Sequence, residues 1–256
     1  MDFHCHLDLY PNARTIHAEA VRRNAFTWLV TTSPKAFIAT SRVLGTSSTV
    51  LITPGLHPEI AHDRSGELDL LLSQIESTLA VGEVGLDGSP RFRHSYAVQC
   101  HIFGAVVERC RELGGRTLSI HSRRAVKDVL TELRRNPGFG TAVLHWFTGS
   151  ITEMKTAIDL GCWFSIGPAA FNSAHGKSLA KSLPKDRVVP ESDGPFAQVD
   201  GKPVMPWSLA KTAQLLAGAW AVSPNEAITL LEQNSNHLLQ VMGFPRSLPS
   251  HDSSRD

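Results

Sequence analysis

Short apolar runs alternate with longer amphipathic stretches along almost the whole chain. The short runs cover 1–6, 27–31, 50–53, 80–83, 117–121, 142–145, 162–166 and 187–190. They are rich in β-branched and aromatic residues and too brief for helices, so each predicts a strand. Between them, apolar positions recur at three- and four-residue intervals over 12–24, 34–44, 66–78, 94–114, 123–135, 151–160 and 174–183, which predicts helices. Two more helices, 206–221 and 224–241, follow the last strand. Ser223 ahead of Pro224 is a capping residue followed by a first-turn proline. Eight strand–helix alternations imply parallel strands joined by crossover helices. With 256 residues, the leading architecture is an α/β fold of the (β/α)8 TIM barrel type. A doubly wound open sheet is disfavoured, because no G-x-G-x-x-G follows the first strand. A single domain is expected over 1–243. The Ser-, Pro- and charge-rich residues 244–256 read as a flexible C-terminal tail.

Composition narrows the class. An apolar fraction of 42% against 19% charged residues supplies a large core and argues against global disorder. The net charge of +1 advertises no overall basic field, although a local cationic cleft is compatible with a neutral total. No stretch approaches the roughly 20 apolar residues of a membrane span. Candidate chemistry starts at residue 2, which leaves no room for a secretory leader. A soluble cytoplasmic protein without membrane attachment is expected. Cys5, Cys100, Cys110 and Cys162 form no Cys-x-x-Cys pair and read as free buried thiols of a reducing compartment.

Six metal-competent side chains fall at or just after the C-terminal ends of five predicted strands, where (β/α)8 barrels build their active sites. His4 and His6 close the first strand. In extended backbone, positions i and i+2 point the same way, so both imidazoles can reach one ion, while Cys5 points away. Glu83 closes the fourth strand, His121 the fifth and His145 the sixth, and Asp193 follows the eighth. Any one of these histidines alone reads more simply as a packing or loop residue. Burying all six groups without partners would be costly, and a metal centre removes that cost. Six ligands exceed the needs of one tetrahedral ion and suit two that share a bridge. Glu83, with two carboxylate oxygens, is the expected bridge. His4, His6, Glu83 and Asp193 would hold one divalent ion, and Glu83, His121 and His145 the other, about 3.5–4 Å away. Imidazole-rich ligation suits zinc, manganese, iron or cobalt, and the carboxylates leave magnesium open.

These segments resemble the TatD family of metal-dependent deoxyribonucleases, within the amidohydrolase-like barrel superfamily. The resemblance is carried by Asp2-Phe3-His4-Cys5-His6-Leu7-Asp8, Gly55-Leu56-His57-Pro58, Val81-Gly82-Glu83-Val84-Gly85-Leu86-Asp87, Ile120-His121-Ser122-Arg123-Arg124-Ala125, Leu144-His145-Trp146-Phe147-Thr148-Gly149-Ser150, Glu191-Ser192-Asp193-Gly194-Pro195 and Asn234-Ser235-Asn236-His237-Leu238. It implies a metal-dependent hydrolase barrel that cleaves DNA, as a 3′-to-5′ exonuclease or an endonuclease, with divalent metal at the six positions above. Many amidohydrolases bridge their metals with a carbamylated lysine; Glu83 stands in its place, as in the nuclease branch. Three positions depart from the family pattern. Gly88 replaces an aromatic residue, Trp146 replaces a cysteine, and Ser192 replaces a threonine. The opening and the overall divergence also resemble QatD, the TatD-like component of the Qat anti-phage system, which implies a role in defence beside other Qat proteins.

The expected reaction is phosphodiester hydrolysis, with Glu83 and Asp193 as the catalytic carboxylates. Asp193 either takes the proton of the attacking water or acts as a ligand alone. His57, after the third strand, is either a donor to a substrate phosphate, a partner that orients a ligand, or a loop histidine. Arg123 either grips a phosphate bidentately or faces solvent at a helix start. Trp146 and Phe147 either stack a base or pack over the barrel mouth. Glu191, Asp8 and Asp87 could orient ligand histidines or finish turns. His17, His62, His94, His101, His175, His237 and His251 read as helix-face, loop or tail residues. The pairs Arg22-Arg23, Arg123-Arg124 and Arg134-Arg135 read as solvated surface rather than a DNA track. Two other functions fit the same residues: hydrolysis of a small phosphoester, lactone or amide, and a subunit used mainly to bind a partner.

Overall fold

The computed structural model describes residues 1–245. Eight strands form where the apolar runs predict them: β1 Asp2–Cys5, β2 Thr27–Val30, β3 Val50–Thr53, β4 Ala80–Gly85, β5 Arg116–His121, β6 Gly140–His145, β7 Trp163–Ile166 and β8 Val188–Pro190. Every predicted helix is present as well, from Ala13–Arg23 to Pro224–Met242. Local chemistry starts several of them. The Ser33 side chain accepts from the Ala36 amide with Pro34 in the first turn. Ser150 and Glu153 cap each other reciprocally. Ser223 accepts from the Glu226 amide ahead of Pro224. Each arrangement satisfies a backbone donor that the helix itself leaves unpaired.

All strand pairings among these eight are parallel, in the orders β1-β2-β3 and β4-β5-β6-β7-β8. Backbone hydrogen bonds cross both seams between the two sets. Gly82 N donates to Pro54 O at 2.9 Å and Glu83 N to Thr31 O at 3.2 Å. On the other side, Asp193 N donates to His4 O and His6 N to Gly194 O, both at 2.9 Å. The architecture is the α/β barrel type that strand–helix alternation implies. At the first seam the chains run so close that a Cβ on Gly55 would collide with the Glu83 backbone. Glycine is therefore required there.

The largest apolar cluster lies between strands and surrounding helices, with Val81, Leu118, Ala142 and Phe164 meeting Ile102, Phe103, Val129 and Leu216. A second cluster joins Trp28, Val30, Val143 and Val189 to Leu238, Leu239 and Met242 of the last helix. Val143 and Val189 stand two residues before His145 and Glu191, so strand alternation aligns this cluster beneath the polar strand ends. Two short strands, Gln198–Val199 and Lys202–Pro203, make an antiparallel hairpin after β8 that the apolar pattern does not predict. The tail expected from 244 begins with Phe244, whose ring packs 4.9 Å from that of Phe26; beyond 245 it lies outside the described residues, as does His251.

One expectation about the cysteines needs correcting. All four are free, but Cys100 is exposed rather than buried. On the helix Tyr96–Glu112 the buried positions are Gln99, Ile102, Phe103, Val106, Val107 and Cys110. They form one stripe at three- and four-residue spacing, and position 100 falls off it. Cys5 is buried and its thiol meets Gly194 O at 3.7 Å, on the side of β1 away from the imidazoles. Among the described residues, no helix is long and apolar enough to cross a membrane.

Candidate active site

Glu83, 1% exposed, occupies the centre of the polar strand ends, and its two carboxylate oxygens face different groups. Oε2 lies 3.0 Å from His6 Nε2 and 3.4 Å from His4 Nε2. Oε1 lies 2.8 Å from His121 Nδ1, 3.0 Å from His145 Nε2 and 3.2 Å from His57 Nε2. Asp193 Oδ1 closes the first group, 3.6 Å from His4 Nε2 and 3.8 Å from His6 Nε2. The six side chains singled out from the sequence are thus brought together. His57, expected only as a substrate-side or supporting residue, joins them in direct contact with Glu83.

The outer nitrogens of His121 and His4 are hydrogen-bonded, and that of His145 faces a carboxylate beyond hydrogen-bond distance. His121 Nε2 meets Asp87 Oδ2 at 2.9 Å. His145 Nδ1 faces Glu191 Oε2 at 3.7 Å, and Glu191 is itself fixed by the Ser165 hydroxyl at 2.5 Å and the Trp146 amide at 3.1 Å. A carboxylate behind the ring keeps a proton on the outer nitrogen and turns the inner lone pair toward the centre. His4 Nδ1 is paired with Ser119 Oγ at 2.7 Å. His57 is the opposite case. Its Nδ1 accepts from the Glu59 backbone amide at 3.1 Å, so the neutral ring carries its proton on Nε2 and presents that donor to Glu83 Oε1, 3.2 Å away at the cleft floor. Burial lowers the His57 pKa and favours that neutral form.

Burial opposes charge throughout the centre, and pairing decides the result. At His121 it is outweighed by Asp87 and Glu83, so the imidazole is raised. At His145 it is outweighed by Glu83 and Glu191, so that ring rises well above its ordinary value. Glu83 is held well below the usual carboxylate range despite its burial, chiefly by His57, His145 and His4. Asp193 is pushed up to about 7 by burial. Asp87 resists burial through its bonds from His121 and Ser89 and falls to about 2.

The donor set fits divalent cations. Three overlapping groups, His4-His6-Glu83, His4-His145-Asp193 and His57-Glu83-His121, each bring their donor atoms within 4.8 Å of one another. Glu83 Oε2 is buried without a hydrogen bond, and so are His6 Nδ1 and His145 Nδ1. His6 is close to that oxygen but outside hydrogen-bond geometry. A buried carboxylate oxygen left unpaired costs on the order of 1–3 kcal/mol, a penalty that a cation between Glu83 and the histidines removes.

A cleft of about 460 Å³ opens above this centre. Its walls include Arg123, Trp146, Thr148 and Phe196 beside His57 and Asp193. Arg123 is exposed, and its guanidinium has no ion-pair partner among the described residues. Trp146 lines the cleft, whereas Phe147 is buried against Phe164 at a centroid distance of 5.3 Å, so the packing role holds for Phe147. Asp8 accepts from Thr40 Oγ1 at 2.9 Å rather than holding a ligand ring. Of the remaining histidines, His237 packs on Trp163 and His62 on His94.

A family model described as TatD related DNase matches residues 1–240. The chain belongs to the TatD family. It is accordingly a metal-dependent hydrolase of the class that acts on ester bonds. The deoxyribonuclease TATDN3 of Homo sapiens is 32% identical over 192 residues, 68% of each chain. The uncharacterized metal-dependent hydrolase YcfH of Escherichia coli (strain K12) is 28% identical over 94% of this chain and 96% of its own. The TatD homologue YJJV of Escherichia coli K12 superposes with a TM-score of 0.77 at 21% identity, over 95% of this chain and 98% of that one. The last likeness supports the barrel-type fold.

Against the TatD pattern, the departure at Gly88 has a physical reason. Its amide donates to Arg123 O at 2.9 Å, and a Cβ there would collide with Arg124 O. The glycine lets the turn that carries Arg123 lie against β4's continuation, where an aromatic side chain would push it away. Phe196 has no counterpart in the sequence reading. Its only signal was an aromatic residue three places after Asp193.

Proposed function

We propose that this TatD protein is a two-metal nuclease that hydrolyses DNA phosphodiester bonds, acting from the 3′ end, and that residues 1–243 form its single catalytic domain. The observation that carries the reading is the position of Glu83, one oxygen toward His4 and His6 and the other toward His121 and His145. His4, His6, Glu83 and Asp193 would hold one cation, and Glu83, His121 and His145 the second. Magnesium, manganese or zinc suits these donors. Such cations supply Lewis acidity, offsetting charge that builds on the phosphoryl oxygens and acidifying the attacking water.

The chain's own groups do the rest. Asp193, raised by burial to about 7, accepts the proton of the attacking water. Arg123 offers its guanidinium to the non-bridging phosphate oxygens, and His57 would join it by turning its Nε2 proton from Glu83 Oε1, 3.2 Å away, toward the same oxygens. Asp87 and Glu191 keep the rings of His121 and His145 in orientation. A cytoplasmic role in anti-phage defence, beside other Qat proteins, extends this proposal on the resemblance of the opening segment to QatD.

End-labelled single- and double-stranded DNA, incubated with manganese or magnesium, tests the reading. Wild type should shorten the strand from its 3′ end in a metal-dependent way, and Glu83→Ala and Asp193→Asn should abolish it. Equal cleavage by all three proteins would assign the activity to another site or a contaminant.

A further inference from the structure

Among the cleft residues that neither the centre nor its supports use, Phe196 stands out. Phe196 is 59% exposed, the most exposed large hydrophobic side chain among the described residues. The others that are exposed, such as Leu9, Val43 and Val241, are aliphatic, and none of them lines the cleft. Phe196 stands in the cleft wall, its ring meeting that of His6 edge-on at 5.0 Å and 78°.

The backbone next to it is held by hydrogen bonds, while its ring is mostly exposed. Ala197 N donates to Asp193 O at 2.8 Å, and Val204 N to Ala197 O at 2.9 Å. Tyr10 donates its hydroxyl to Val204 O at 2.6 Å. Ala197, the next residue, is 2% exposed in a small apolar cluster with Ala169 and Val204. Trp146 packs against that cluster, so the two aromatics share one rim. A largely exposed ring, next to a bonded residue and lining the same cleft as Asp193, offers a platform for a flat apolar surface.

We propose that Phe196 stacks the nucleobase at the end of a single strand, seating the terminal nucleotide with its phosphate over His6 and Asp193. This rests on the nuclease reading and narrows its substrate. A base inside a duplex is already covered on both faces, so only an unstacked one can use the platform. The cleft volume of about 460 Å³ lies in the range of small-ligand sites, which suits one nucleotide at a time. Every base has a π-face, so the platform tolerates sequence.

The test compares kcat/KM, with manganese, on two single-stranded oligonucleotides that differ only at the 3′ terminus: one carries a normal nucleotide, the other an abasic residue. Wild type should favour the base-bearing end. Phe196→Ala should lose about 5- to 150-fold on that end, so that the preference collapses. Phe196→Trp should keep it. Equal losses on both substrates would mean that Phe196 only positions His6, and would overturn the stacking role. A preference that survives Phe196→Ala would overturn it too, while leaving the nuclease reading intact. A folded wild type inert on both oligonucleotides would overturn the nuclease reading and this inference with it.

Discussion

The floor of the cleft and its rim are built on opposite principles. On the floor, the six donor groups of His4, His6, Glu83, His121, His145 and Asp193 are mostly buried, and several are fixed from behind by another side chain, Ser119, Asp87 or Glu191. On the rim, Arg123 and Phe196 are exposed, and among the described residues no ion pair holds the Arg123 guanidinium. The difference teaches where each kind of specificity is stored. Cation chemistry needs donors preset to within fractions of an ångström, which packing supplies. Substrate recognition keeps its surface for the ligand to cover.

Breaking the floor at its centre should have the largest effect. Glu83→Gln keeps the shape but removes the charge shared by both groups, so calorimetry should find both cations weakened together, with activity lost by about 10³-fold or more. Loss of one cation with the other retained would contradict a shared bridge. His121→Ala sharpens the point, since it should weaken one cation and spare the other.

Behind the floor, effects should be intermediate. Asp87→Asn and Glu191→Gln should each reduce cation affinity roughly 10- to 100-fold, because the ring they orient loses its fixed lone pair. Unaltered affinity in titrations of both variants would reduce these carboxylates to turn and packing residues. At the rim, Arg123→Ala should raise KM about tenfold while cation affinity stays at the wild-type level. A change in cation affinity there would erase the distinction between floor and rim. The smallest effect belongs to the outer surface, where Cys100→Ser should shift stability by less than about 0.5 kcal/mol in a denaturant melt.

The same division explains what could be read from the chain alone. Strands such as Val50–Thr53 and helices such as Pro34–Leu44 follow from apolar periodicity and caps, which are local signals. The floor was legible because a polar side chain at a strand end is defined by its position in an element, as His145 is at the end of β6. Glu83's contact with His57 depends on how two sheets meet at a seam, and no spacing encodes that. Nor does spacing reveal that the Glu59 amide fixes the His57 proton. The hairpin Gln198–Val199/Lys202–Pro203 has strands too short and polar for a pattern. Phe196 was missed because exposure is a property of the assembled surface, and a lone aromatic in a loop reads as core.

The bonds that join the segment after β8 to β1 link residues far apart in the sequence; Ser192 N donates to the Asp2 carboxylate across 190 positions. A ribosome must therefore have released most of the polypeptide before Asp193 can meet His4. Nascent or truncated chains lacking that last strand would carry five of the six donors without the closed ring that gathers them. A chain halted before Asp193 is therefore expected to lack the activity, and a cation held by His4, His6, Glu83 and Asp193 would stabilise only chains that have reached that residue.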